Sequence, residues 1–423
     1  MRKVLVITYY WPPAGGPGVQ RWLKFVKYLK DFGVEPVLYI PENPHYPLVD
    51  ESFVNDVPKD VKIYKHKIKE PYRIASLFSS KKTKRISSGI IQSKNQSFIE
   101  KILLWVRGNL FIPDARKFWV KPSVNYLKDV LDKEGIDTII TTGPPHSVHL
   151  IGYYLKQSMT LNWLADFRDP WTTIGYHKKL KLTTSAEKKH KKLEADVLNA
   201  ANKIIVTSNT TKEEFKRITD KPIQVITNGF DGEVVNAKQL DSLFTISHIG
   251  SLLSGRNPIK LWEVLAELVQ ENQDFKKALM LQFIGVVSDE ILATITEVGL
   301  QDYIEVVGYV SHQKALEYQK ASQVLLLVEI DSQDTIGIIP GKLFEYMAAK
   351  RPLLGVGPRD WEVAGIVKET NTGSIFNHSD DIALKNVLLS WFENYRKGEL
   401  MITSSNIEQY SRRELTRKLA EYI

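Results

Sequence analysis

The feature that most constrains this chain is a repeated alternation of short apolar runs with longer amphipathic stretches. Runs at 3–8, 34–40, 138–142, 162–166, 203–207 and 224–227 are strand-sized and rich in Val, Ile, Leu and Thr, as buried strands are. Between the first two, Val19, Trp22, Phe25, Val26 and Leu29 recur at helical spacing. A second helix is expected from Ser147 to Gln157. The pattern restarts after Asn228-Gly-Phe-Asp231, with strands at 243–249, 280–285, 304–308, 324–329 and 352–356. There Leu261, Val264, Leu265 and Leu268 form the first helix stripe. Strands joined by helix-length crossovers make parallel sheets. The expectation is an α/β chain of two Rossmann-like, doubly wound domains facing a central cleft. They would cover residues 1–236 and 237–404, with a helix at 405–423 packing back towards the first domain.

The 423 residues suit such a chain, since a domain takes roughly 100–200. Cysteine is absent, which excludes disulfide scaffolds, cysteine–zinc sites, iron–sulfur clusters and thiol nucleophiles. Val4-Leu-Val-Ile7, behind Met1-Arg-Lys, is too short for a signal-peptide core, and no run reaches the roughly 18 apolar residues of a membrane span. A cytoplasmic chain is expected, with peripheral contact on the inner face of the membrane.

The net charge of +8 is unevenly spread. From Lys59 to Lys128 there are 17 Lys/Arg against four Asp/Glu, so the rest of the chain is net acidic. A second run holds Lys178, Lys179, Lys181, Lys188, Lys189, Lys191 and Lys192. Within the first segment Ile99, Ile102, Leu103 and Val106 fall at helical spacing beside Trp105. That pattern fits a basic amphipathic helix on an anionic membrane, or a domain helix with a solvated lysine face. The aromatics alternate with core-like aliphatics and form no stacking platform, so nucleic acid is not an expected partner.

Three loops lie where parallel sheets bind ligands, at the carboxyl ends of strands. Ala14-Gly-Gly-Pro-Gly18 can present backbone N–H groups to a phosphate or sugar hydroxyl, or be a simple turn. Its spacing is not the dinucleotide fingerprint. Gly250-Ser-Leu-Leu-Ser-Gly-Arg256-Asn-Pro-Ile-Lys260 adds two cations suited to a diphosphate, or is a solvated loop. The richest stretch runs from Thr335 to Gly355. Pro340-Gly341 is placed to open a helix, with Lys342 and Glu345 on one face, able to hold a phosphate and ribose hydroxyls or merely to pair with each other. In the first half, His146 follows the strand at 138–142, and Asp166-Phe-Arg-Asp169 follows the next. His146 could donate to a sugar hydroxyl or move a proton, with His149 a weaker candidate. Asp166 and Asp169 could serve as base or orient an acceptor, or form a structural ion network with Arg168. Trp171 could stack on a sugar or fill the core. No Asp/Glu/His cluster has metal-ligand spacing, no Asp-x-Asp occurs, and neither metal nor cofactor is expected.

The run IPGKLFEYMAAKRPLL resembles the nucleotide-sugar-binding helix of retaining GT-B glycosyltransferases, specifically glycosyltransferase family 4. The loops at Gly16, at Gly250–Arg256 and at Gly308-Tyr-Val-Ser-His312 look like the family's other landmarks, in the same order, so the resemblance spans the chain. It implies a nucleotide-sugar donor and a glycan or lipid-linked acceptor in cell-surface polysaccharide synthesis. It implies donor contacts from Gly16, Gly250, Arg256, Tyr309, Val310, Gly341, Lys342 and Glu345, with Glu345 on the ribose and Arg256 on the diphosphate. Tyr309 and Val310 would read the nucleobase through the backbone. Two positions depart from the family pattern. Ser251 stands where an arginine is usual, and Gly337 where a glutamate is usual. A nucleotide-sugar epimerase of similar fold and a non-catalytic nucleotide-sugar-binding protein are the competing readings.

Overall fold

The structure is a computed structural model that describes residues 1–70, 98–232 and 239–423. The charge run Lys81–Arg85 and the expected boundary at 236/237 lie outside the described residues. Two compact units form. The first comprises Met1–Asn228 and Arg412–Ile423, the second Gly229–Ser411.

In the first unit seven parallel strands lie in the order β3-β2-β1-β4-β5-β6-β7. They are β1 Arg2–Thr8, β2 Val34–Pro41, β3 Lys62–His66, β4 Thr138–Gly143, β5 Asn162–Phe167, β6 Lys203–Val206 and β7 Ile223–Val225. Side chains alternate across a strand, so each strand feeds two cores. Leu5 and Ile7 of β1 pack with Trp119, Trp163 and Phe167 on one face. Val4 and Val6 pack on the other with Trp22, Leu23 and Val26 of the Pro17–Leu29 helix.

That second core includes Leu415 and Leu419 from the terminal Arg412–Tyr422 helix and Ile423 just after it. The helix is also tied by its backbone ends. Arg2 Nη1 donates to the Ile423 carbonyl at 3.1 Å, and Lys203 Nζ to that of Tyr422 at 2.6 Å. The stretch expected as one helix from 405 contains a separate 3-10 turn at Ile407–Tyr410 before it.

The second unit repeats the arrangement with six parallel strands in the order β10-β9-β8-β11-β12-β13. These are β8 Phe244–Ile249, β9 Leu279–Ile284, β10 Ile304–Gly308, β11 Val324–Val328, β12 Leu353–Gly357 and β13 Gly373–Asn377. Val324, Leu326 and Val328 of β11 face one core, while Leu325 and Leu327 face the other. In both sheets the first strand is flanked by the second and the fourth. The order reverses there, leaving a crevice at the strands' carboxyl ends.

Candidate functional site

In the second unit the reversal lies between β8 and β11, and the residues beyond these strand ends converge. His248 is buried near the end of β8, and its Nδ1 lies 3.0 Å from the Leu326 carbonyl of β11. A carbonyl oxygen can only accept, so Nδ1 carries the proton and Nε2 presents a lone pair. Lys342 Nζ donates to that lone pair at 3.1 Å.

The Lys342 amine lies over Gly250. A Cβ at Gly250 would sit 2.7 Å from Nζ, and the residue's φ of +114° already favours glycine. Burial, then the nearby Arg256 charge, push the Lys342 amine down to about 8, against the pull of Glu329 and Glu345. It is therefore mostly charged at neutral pH.

Arg256 is held by Glu329, the residue after β11. Nε lies 3.0 Å from Oε1 and Nη2 3.2 Å from Oε2. Glu329 is fully buried and also accepts from the Ile330 N–H at 2.9 Å. The Arg256 side chain is one-third exposed, so it is anchored on Glu329 without being buried. Gly341 caps the Lys342–Ala348 helix. At seven residues this helix contributes little macrodipole, and the charge here comes from side chains. Tyr346 bolts the helix to β8, its hydroxyl accepting from the Ile249 N–H at 2.9 Å and donating to the Ile249 carbonyl at 3.2 Å.

Glu345 is half-buried and accepts from Gln319 Nε2 at 3.0 Å. Tyr309, just past β10, is 69% exposed, and Val310 is half-buried. Thus Gly250, Arg256 and Lys342 come together, and His248 and Glu329 join them. Sequence reasoning assigned those two no role. The signal for Glu329 was there: an acid closing the apolar run VLLLV.

In the first unit the reversal lies between β1 and β4. Gly16 caps the Pro17–Leu29 helix with φ +103°, and Val19 N–H donates to its carbonyl. The Arg168 guanidinium crosses the first turn at Gly18, where it leaves no room for a Cβ. Its Nε donates to the Gly143 carbonyl at 3.2 Å and its Nη2 to that of Pro144.

Asp166 is fully buried at the end of β5. Its Oδ1 accepts from Arg21 at 3.0 Å, and its Oδ2 from Trp22 Nε1 at 2.7 Å and Thr142 at 2.8 Å. Burial pushes its pKa up, but the Arg21 charge and these hydrogen bonds hold it below the usual carboxylate range. Asp169 differs. Burial raises its pKa against the Arg168 charge, and no hydrogen bond to its carboxylate is found among the described residues.

His146 stacks on Trp171, with ring centroids 4.7 Å apart and planes 4° off parallel. Both its ring nitrogens are buried without a hydrogen-bond partner among the described residues. His149 lies 5.9 Å from it and accepts from, or donates to, Thr141 at 2.9 Å. His190 accepts from Trp171 Nε1 at 3.2 Å, and His177 sits edge-on to it at 4.6 Å. Burial keeps all four imidazoles below their ordinary pKa, so they are neutral at pH 7. The arrangement supplies neutral hydrogen-bonding groups.

No protein-family model matches the chain, and no curated protein matches it in sequence. Solved structures do. Over 100% of its length the chain is similar to a glycosyltransferase from Rickettsia africae, at 14% identity, 97% coverage of that chain and a TM-score of 0.60. A TarM variant from S. aureus, solved with UDP and alpha-GlcNAc-glycerol, matches at 13% identity, 100% and 99% coverage and a TM-score of 0.57. A UDP-GlcNAc 2-epimerase from Methanocaldococcus jannaschii matches at 11% identity, 100% and 99% coverage and a TM-score of 0.52. Two parallel sheets in these strand orders, with flanking helices, are the fold of GT-B glycosyltransferases, and this chain has that fold.

Proposed function

We propose that this chain is a retaining glycosyltransferase of family 4 type. It moves a sugar from a nucleotide-sugar donor to a glycan or lipid-linked acceptor in cell-surface polysaccharide assembly. The observation that carries this reading is the Lys342 amine held over Gly250 beside Arg256, at the strand-order reversal of the second unit. In sugar transfer the bond from the anomeric carbon to the β-phosphate oxygen breaks, and negative charge collects on the departing diphosphate. Fixed cations at that point stabilise the transition state more than the ground state. Lys342 and Arg256 take that role. Lys342 stands in for the cation lost at Ser251, and Glu345 holds the ribose.

In the first unit neutral His146 donates to a sugar hydroxyl, and Asp169, made more basic by burial, takes the acceptor proton. Asp166 is the residue that keeps the Pro17–Leu29 helix and β4 in register with β5. The acceptor side faces an anionic membrane from the cytoplasm. The chain's described helices include none long and apolar enough to cross one.

A panel of nucleotide sugars, assayed with and without lipid-linked and glycan acceptors, tests the reading. Glycosylated acceptor is the expected product, and Arg256→Ala and Glu345→Ala should each weaken donor binding. Epimerised nucleotide sugar without any acceptor product would establish the epimerase reading in its place, and binding without turnover the non-catalytic one.

A further inference from the structure

We infer that His248 is a positioning residue, whose neutral ring sets where the Lys342 ammonium sits and so how tightly the anionic end of the donor is held. The inference rests on the nucleotide-sugar reading of this site.

The geometry comes first. The His248 ring is fixed from behind by the Leu326 carbonyl at 3.0 Å and meets Lys342 Nζ in front at 3.1 Å. An ammonium has three N–H groups. His248 takes one, and no other partner of Nζ is found among the described residues, so two are left for a ligand. A lysine side chain has four flexible bonds, and ordering it costs up to about 2 kcal/mol. The ring meets that cost before a ligand arrives, as preorganisation requires.

The charges around the pair keep the roles fixed. Lys342 is faced by His248 from β8, Arg256 from the loop after β8, Glu329 from the end of β11 and Glu345 on its own helix. Burial, then the Lys342 charge, with Arg256 adding, hold His248 well below its ordinary pKa against hydrogen bonding to the Leu326 and Ser251 backbone, so the ring stays neutral. The Lys342 amine titrates at about 8. Raising the pH through 8 removes the ammonium, and a bound diphosphate draws the proton back.

The test uses the full chain and calorimetric binding of UDP and GDP between about pH 6.5 and 9.5. His248→Asn keeps a donor for the Leu326 carbonyl but does not reach Lys342. His248→Gln places an amide oxygen near the former Nε2. Removing a hydrogen bond to a charged group should weaken binding at pH 7 about tenfold in His248→Asn, with most of it regained in His248→Gln. Lys342→Met should lose affinity and the fall above pH 8 together, and adding His248→Asn to it should change nothing more. Wild-type affinity and pH profile in His248→Asn, or a further loss in the double variant, would overturn the inference.

A ligand-free arm separates this from the reading beneath it. Amine labelling of Lys342, followed by mass spectrometry, should be half-complete near pH 8 and move to lower pH in His248→Asn. Unchanged labelling overturns the positioning role alone. Wild-type protein that binds no nucleoside diphosphate, while labelling shifts as expected, overturns the nucleotide-sugar reading alone.

Discussion

At Gly250 two demands meet in one residue: a left-handed backbone and room for an amine. Alanine there would adopt φ +114° at a cost of about 1–3 kcal/mol and put its methyl 2.7 Å from Lys342 Nζ. The lysine is the far end of a flexible chain and can swing away, which would break its contact with His248. Gly250→Ala is therefore expected to fold with a lowered Tm and to bind UDP or GDP several-fold more weakly. Nucleotide titration beside thermal unfolding checks it, and unchanged affinity would count against Lys342 as a phosphate ligand. At this scale the sequence singles out Gly250, Lys342 and Glu345, because glycine after a strand and a lysine and glutamate three apart are local signals. Glu329 carries only the local signal of an acid closing the run VLLLV, and His248, inside β8, carries none; their partners lie 73 and 94 positions away in sequence. Asp166 is the converse. Its place at a strand end invites a catalytic reading, yet both its oxygens are taken by Arg21, Trp22 and Thr142.

Among the elements, the strands legible in the sequence are mostly those buried on both faces. β3 and β13 escape the reading. Both are edge strands, but so are β7 and β10, which the sequence shows. What hides β3 is the lysines and histidine of KIYKH, and what hides β13 is the glycine, serine and asparagine of GSIFN, which break an apolar run. The terminal helix is legible as a helix, but its docking depends on a sheet built from the other end of the chain. Leu419 is fully buried in that contact. Leu419→Ala should destabilise the first unit by about 2–5 kcal/mol, read as an earlier unfolding transition.

The histidines around Trp171 give a second test at this scale. His149 has its pKa pushed down to about 3 by burial, with Asp166 opposing and Arg168 adding. Unfolded, it would bind a proton below about pH 6.5. The unfolded state therefore holds more protons between those values, and stability falls as the pH drops from about 6.5. His149→Phe should shrink the stability difference between pH 7.5 and pH 5 by about 2 kcal/mol. An unchanged difference would mean that His149 is already charged in the folded unit.

For the whole molecule, fold class follows from periodicity because a doubly wound sheet needs little beyond buried strands and crossover helices. Partner choice does not, since it depends on which charges the fold gathers. Among the described residues, parts of the two basic runs lie together. Asn109, in the Phe98–Leu110 helix, donates to the Lys181 carbonyl at 3.2 Å and accepts from the Thr183 N–H at 2.7 Å. Burial, then the charge of Lys189, lowers the pKa of Lys117. So charge from the Lys59–Lys128 segment lies beside the Lys178–Lys192 run. Around them Ile102, Trp105, Leu110 and Phe118 are all more than 40% exposed, with Lys101 and Lys121 exposed beside them. Apolar side chains that enter a bilayer and lysines that meet anionic headgroups are the two components of interfacial binding. Each lysine near the surface adds about 1 kcal/mol, and the attraction is screened within about 10 Å at 0.1 M salt. The full chain should therefore co-sediment with phosphatidylglycerol-containing vesicles, less so in high salt, and hardly with neutral ones. Lys101→Glu with Lys117→Glu should weaken that binding strongly. Trp105→Ala with Phe118→Ala should leave a weaker binding that salt abolishes. Equal binding to neutral and anionic vesicles, or binding indifferent to all four substitutions, would show this face to be solvated only.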